Sequence, residues 1–224
     1  MDVFGILAEI LSPVRCAGCG LPGATLCPVC RSTAHLIQPG AGCQRCGAPL
    51  IGASCRECVD RSFAFSSAVC AGLLEPPLSR AVTLYKDAAE RRYAVLLGAL
   101  LSAACESWRG WPDAVCAVPP SERALARRGF DHTAALAGHV ARELDVPHLR
   151  LLVAARRADQ RGLGRDERRE NMAGAFAVHP AVPVPSRVLV VDDVFTTGAT
   201  LDGATRALLA AGALEVRVAA VARA

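Results

Sequence analysis

Two groups of residues in this 224-residue chain have the types and spacing to do chemistry. Eight of its eleven cysteines form four Cys-x-x-Cys pairs: Cys16/Cys19, Cys27/Cys30, Cys43/Cys46 and Cys55/Cys58. Two adjacent acids, Asp192 and Asp193, close an apolar run that starts at Val188, and Thr196-Thr197-Gly198-Ala199-Thr200 follows them.

A Cys-x-x-Cys turn puts both sulfurs on one side of the chain, and two such turns complete a tetrahedral Zn²⁺ site. The chain therefore carries ligands for two zinc ions. Gly20 and Gly47 follow the second cysteine of their pairs, where the turn calls for a residue that tolerates positive φ. The competing reading, a disulfide framework, belongs to oxidising compartments. Asp2 and Glu9 interrupt the first apolar stretch and no basic segment precedes it, so no secretory leader is expected and the location expected is cytoplasmic. The pairs can combine in chain order, or the first with the third and the second with the fourth; short linkers favour chain order. Sites closed by four thiolates have no open position for water or substrate, so both are expected to be structural. His35 has no partner at ligand spacing and reads as a solvated loop residue.

The acid pair asks for a different chemistry. Val188 to Val191 reads as a buried strand, and the small-residue loop after the acids opens a helix. Such a loop turns several N–H groups and hydroxyls toward one anion at a helix N-terminus, with Gly198 allowing close approach. Two carboxylates at the carboxyl end of a parallel strand sit where open α/β sheets bind ligands, and they can accept hydrogen bonds from ribose hydroxyls. Together they predict a sugar-phosphate site. The plainer reading makes both acids ordinary caps, which the Thr-Thr-Gly-Ala-Thr string disfavours.

These residues need a scaffold. From about residue 63 apolar segments alternate with Arg- and Ala-rich amphipathic stretches, the pattern of an α/β fold built on a parallel sheet. Strands are expected at 67–71, 114–118, 149–153, 187–191 and 216–221, and helices at 78–86, 91–107, 132–144 and 200–211. Gly212 reads as the stop of the last helix. The expected division is a cysteine-rich module with an N-terminal helix over residues 1–62 and an α/β domain over 63–224.

Composition narrows the function. Hydrophobic residues make up 52% and charged residues 21% of the chain, which excludes a disordered protein. The run from Tyr93 to Cys105 falls short of the about 20 residues a spanning helix needs, so no membrane insertion is expected. The formal charge of +4 is cancelled once eight thiolates and two Zn²⁺ are counted, so the cysteine module is not an electropositive DNA clamp. Positive charge concentrates instead over residues 123–169, with a net of +5, and any attraction for DNA or phosphate belongs there. Within it Arg156, Arg157, Arg161, Arg165, Arg168 and Arg169, with Gly162 and Gly164, read as a mobile loop able to bring cationic charge to a leaving group; the alternative is a solvated, salt-bridged surface. His132, His139, His148 and His179 form no catalytic constellation and read as surface or helix residues.

The string from Val188 to Thr200 resembles the phosphoribosyl pyrophosphate (PRPP) motif of type I phosphoribosyltransferases. With the cysteine pairs in front of it, the whole chain resembles the ComF family, bacterial proteins that join a zinc module to a phosphoribosyltransferase domain and are linked to DNA uptake. Three further stretches share the resemblance: the Lys86 segment, Val118-Pro119-Pro120-Ser121 leading to Arg128-Gly129-Phe130, and residues 160–176 with Arg168 and Asn171. Asp131-His132 stands where the family usually has Asn-Gln.

The resemblance implies a type I phosphoribosyltransferase-like domain that binds PRPP with Mg²⁺. Asp192 and Asp193, after Val191, would hold the ribose, and Thr196, Thr197, Gly198, Ala199 and Thr200 its 5′-phosphate. Pro119 and Ser121 would approach the pyrophosphate, with Lys86 close by. Asp192, Asp193 and Arg168 are the candidates for stabilising the reacting centre. Transfer of the phosphoribosyl group to an unidentified acceptor is one expectation. The other is a non-catalytic nucleotide- or single-stranded-DNA-binding component of DNA uptake, or a docking partner for another competence-machinery protein. With Phe 6, Trp 2 and Tyr 2, stacking on bases is scarce, so any DNA affinity should be electrostatic.

Overall fold

The computed structural model describes residues 13–50, 55–155 and 174–224. The expected N-terminal helix, the loop arginines from Arg156 to Arg169, and Asn171 lie outside the described residues. In chain order the elements are α1 (Pro28–Ser32), β1 (Ser67–Leu73), α2 (Leu78–Lys86), α3 (Tyr93–Ala104), a 3₁₀ turn (Glu106–Trp108), β2 (Ala114–Ala117), α4 (Glu122–Arg128), α5 (His132–Leu144), β3 (Leu152–Ala154), β4 (Phe176–Val178), β5 (Arg187–Phe195), α6 (Ala199–Ala210) and β6 (Glu215–Arg223).

The main sheet is parallel, in the order β1-β6-β5-β2. Both its faces are covered, so its central strands are continuous apolar runs rather than alternating ones. Leu189, Val191, Ala219 and Val221 pack on one face with α2, α3 and α5. Val188, Val190, Val216 and Val218 pack on the other with Leu201, Ala204 and Leu208 of α6. The cysteine module closes this second face, with Cys43, Cys46, Ala48 and Cys58 in the same cluster as Phe65 and Cys70. The close fit is visible at Gly47 (φ +70°), where a Cβ would meet Cys70 Sγ at 2.7 Å.

Several expectations shift by physical cause. The helix expected at 91–107 ends at Ala104, where the chain tightens into the 3₁₀ turn. The strand expected at 149–153 becomes an isolated bridge from His148 to Val115 and a short antiparallel pair of β3 with β4. The acid pair does not end its strand. Pairing with β2 stops at Val191, while β5 continues beside β6 to Phe195↔Arg223.

Candidate functional site

The eight paired cysteines gather in chain order as two groups, Cys16/Cys19/Cys27/Cys30 and Cys43/Cys46/Cys55/Cys58, each with its sulfurs within 4.8 Å of one another. A tetrahedron with Zn–S bonds of about 2.3 Å has edges of about 3.8 Å. The recorded separations are 3.9 Å for Cys19 and Cys27, 3.7 Å for Cys43 and Cys58 and 3.6 Å for Cys46 and Cys55. These lengths match that edge and are far from the about 2.05 Å of a disulfide. At Cys16 the surroundings favour thiolate: Cys27 N–H donates to Cys16 Sγ at 3.3 Å. Burial opposes ionisation of Cys16, yet N–H donors from Cys27, Cys19 and Gly18 outweigh it and draw the thiol down to about 6. Both donor sets fit Zn²⁺, and with four sulfurs each they leave it no open position. Gly20 and Gly47 have φ of +77° and +70°, as their turns require. His35 is in neither group; its Nδ1 lies 2.5 Å from Glu75 Oε2 on the surface.

The acid pair sits beyond the end of β2, almost wholly buried, with Asp192 8% and Asp193 5% exposed. Lys86, the last residue of α2, places Nζ 2.6 Å from Asp193 Oδ2. His132, the first residue of α5, faces the same oxygen with Nε2 at 3.1 Å. Asp192 Oδ1 turns back to accept from the N–H of Asp193 at 2.8 Å. The two carboxyls are thereby driven apart. Burial, then the neighbouring Asp193 charge, push Asp192 well above the usual carboxylate range. Burial acts on Asp193 in the same direction, but His132 and Lys86 overcome it and hold Asp193 well below that range.

His132 is the main departure from the expected site. The sequence reads it as a surface or helix residue; it is on a helix, as the first residue of α5, but is 4% exposed rather than on the surface. Asp131 caps that helix by accepting from Ala134 N–H at 2.9 Å, and Tyr85 OH donates to the His132 carbonyl at 2.7 Å. Arg128 lies against the same imidazole, Nη1 being 3.2 Å from Nδ1 and 3.4 Å from Nε2. The Arg128 side chain is only 8% exposed, and its Nε has no hydrogen-bond partner among the described residues.

The loop after β5 supplies the second half of the site. Gly198 caps α6 with φ +82°, and a Cβ there would come within 2.7 Å of the Phe63 and Phe195 rings. Thr197 Oγ1 accepts from Ala199 N–H at 3.3 Å, and Thr200 lies in the first turn of α6. The amides of Thr196, Thr197 and Gly198 donate to no acceptor among the described residues. Free N–H groups at a helix N-terminus beside a glycine form an anion-binding concavity.

The remaining predicted residues take other places. Val191 is fully buried, and its carbonyl accepts from Val118 N–H at 2.9 Å, so it anchors the proline loop from behind. Ser121 Oγ caps α4 by accepting from Ala124 N–H at 3.2 Å. Pro119 lines a cavity of about 580 Å³ with Asp131, His148, Arg150 and His179, and neither the acid pair nor the Thr196–Thr200 loop borders it. Arg168 lies outside the described residues.

Residues 131–224 match the phosphoribosyl transferase domain. Competence protein F of Haemophilus influenzae is 30% identical over 221 residues, which cover 88% of this chain and 96% of the relative. DNA utilization protein YhgH of Escherichia coli K12 is 29% identical over 220 residues, covering 92% and 95% respectively. Among solved structures, adenine phosphoribosyltransferase from Leishmania tarentolae aligns over 62% of this chain and 74% of its own, with 14% identity and a TM-score of 0.37.

Proposed function

Because the chain belongs to the ComF family, that of competence protein F, we propose that it binds PRPP with Mg²⁺ and transfers the phosphoribosyl group to an acceptor. The observation that carries this reading is the adjacency of a divided acid pair and a loop with three amides that donate to no described residue, at one end of one strand. On this reading residues 63–224 are the ligand-binding domain, residues 1–62 its zinc module, and the protein works in the cytoplasm. Among the described residues no helix is long and apolar enough to cross a membrane.

The residues divide the ligand between them. The amides of Thr196, Thr197 and Gly198 and the Thr200 hydroxyl hold the 5′-phosphate, where the α6 dipole favours negative charge. Asp193, kept anionic by Lys86 and His132, accepts hydrogen bonds from ribose hydroxyls, and Asp192 supplies the second acceptor. As pyrophosphate leaves, the sugar becomes oxocarbenium-like, and the fixed Asp193 charge stabilises it without reorganising. Mg²⁺, when bound with the ligand, would neutralise pyrophosphate charge, and its preference for oxygen donors would be met by the ligand's phosphates and by the carboxyl oxygens of the acid pair nearby. Arg128, and Arg168 outside the described residues, supply cationic charge for the same leaving group.

The test is ligand-induced stabilisation. PRPP with Mg²⁺ at about 100 times its Kd should raise unfolding free energy by about 2.7 kcal/mol, read as a rise in Tm. An unchanged Tm across millimolar PRPP would overturn the proposal.

The relatives' names favour a second reading, a DNA-uptake or DNA-utilisation component that binds nucleotide or single-stranded DNA without turnover. Pyrophosphate release separates the two: the first requires it with some nucleobase or amine acceptor, and the second predicts none.

A further inference from the structure

Two guanidinium groups hold the carbonyl side of the Thr196–Thr200 loop, and one comes from the cysteine module. Arg223, 4% exposed on β6, donates from Nη1 to the carbonyls of Phe195 at 3.2 Å and Thr196 at 2.9 Å, and also to that of Ala224. Arg61, three residues after Cys58, donates from Nη1 to the Thr197 carbonyl at 3.3 Å. In a trans peptide the C=O and the following N–H point in opposite directions. Fixing the carbonyls of residues 195, 196 and 197 therefore turns the amides of Thr196, Thr197 and Gly198 to the other side. Those are the three amides that donate to no described residue.

The segment from Cys55 to Phe65 grips this loop repeatedly. Glu57, between two sulfur ligands, places Oε2 3.3 Å from Arg223 Nη2. Phe63 stacks on Phe65 at 4.7 Å, and both meet Phe195 edge-on at 6.0 and 6.1 Å. Ala64 N–H donates to Asp202 Oδ1 at 2.5 Å, in the first turn of α6. The second four-sulfur group thus fixes the backbone from which Glu57 and Arg61 reach the loop.

We infer that Arg61 and Glu57 are positioning residues for the anion loop, so that Zn²⁺ at Cys43, Cys46, Cys55 and Cys58 and phosphate at Thr196–Thr200 favour each other's binding. The inference rests on reading that loop as the 5′-phosphate site. Linkage is reciprocal: whatever factor Zn²⁺ adds to phosphate affinity, phosphate adds to Zn²⁺ affinity. Among the described residues no hydrogen bond or ion pair joins the first four-sulfur group to the loop, and that group is the internal control.

The experiment uses the full zinc-loaded chain and ribose 5-phosphate, whose binding is first measured by calorimetry. Transfer of Zn²⁺ to a chromophoric chelator is then followed with and without the ligand. Saturating ribose 5-phosphate should slow release of one of the two ions about fivefold or more, the lower end of ordinary coupling. Arg61→Ala removes a partly exposed side chain and should keep both ions while abolishing the ligand's effect on release; Arg61→Lys should restore part of it. Release unaffected by a ligand that binds, or a slowing that persists in Arg61→Ala, overturns the coupling alone. No calorimetric binding to the zinc-loaded chain overturns the phosphate-site reading and the coupling with it.

Discussion

Lys86 Nζ lies 2.6 Å from Asp193 Oδ2, and the Asp193 side chain is only 7% exposed. A buried carboxylate just past the end of β2 pairing, with two partners behind it, Lys86 and His132, is preorganised as an anion before any ligand arrives.

Removing one partner should therefore expose the cost of the other. Lys86→Met leaves Asp193 buried with an incomplete counter-charge and should lower stability by about 2–4 kcal/mol. Adding Asp193→Asn to that variant should recover most of the loss. Denaturant unfolding of the four proteins of the cycle measures it, and strictly additive losses would refute the pairing.

Asp192 predicts the opposite response. Its carboxyl is raised in the folded state, so the folded protein binds its proton more tightly than the unfolded chain. That contribution is complete below the ordinary carboxylate range and is lost as pH rises through the raised value. Asp192→Asn, neutral at every pH, should match the wild type in acid and exceed it as pH rises toward neutrality. Equal thermal stability at pH 7 would contradict the shift.

How much of this was legible in the sequence depends on how far apart the partners lie. The metal groups and the loop from Asp192 to Thr200 are contiguous, so spacing alone displayed them. Helices α2 and α5 were expected at the residues they occupy because each buries an apolar face. Helices α1 and α4 bury no residue, so they leave no apolar periodicity. The latter is set by its ends, Ser121 and the left-handed Gly129. His132 and Asp193 are 61 residues apart, and Arg223 and Glu57 166; no local pattern joins them. Arg223 did leave one trace, a charge ending the apolar strand β6.

The sulfur geometry makes a stoichiometric prediction. Metal analysis of protein prepared without chelators should give about two Zn per chain. Only the three remaining cysteines, Cys70, Cys105 and Cys116, should stay outside the metal-bound set, and all three are buried. Stripping the metal should destabilise the chain, because ligand organisation is folding free energy. Metal content near zero would refute both sites.

If single-stranded DNA binds, phosphate contacts should dominate. Affinity should fall linearly on a log–log plot against salt, with a slope near −0.7 per phosphate neutralised. A flat response would point to stacking or to a protein partner.

The most direct test of the central claim is calorimetric titration of PRPP with Mg²⁺ into the wild-type chain and into Asp192→Ala/Asp193→Ala, with zinc content and circular dichroism as controls on the fold. The account predicts saturable one-site binding to the wild type and its loss in a folded, zinc-loaded double variant. Equal affinity in both proteins would contradict the ribose-binding role of the acid pair, and no binding to the wild type would contradict the PRPP site itself.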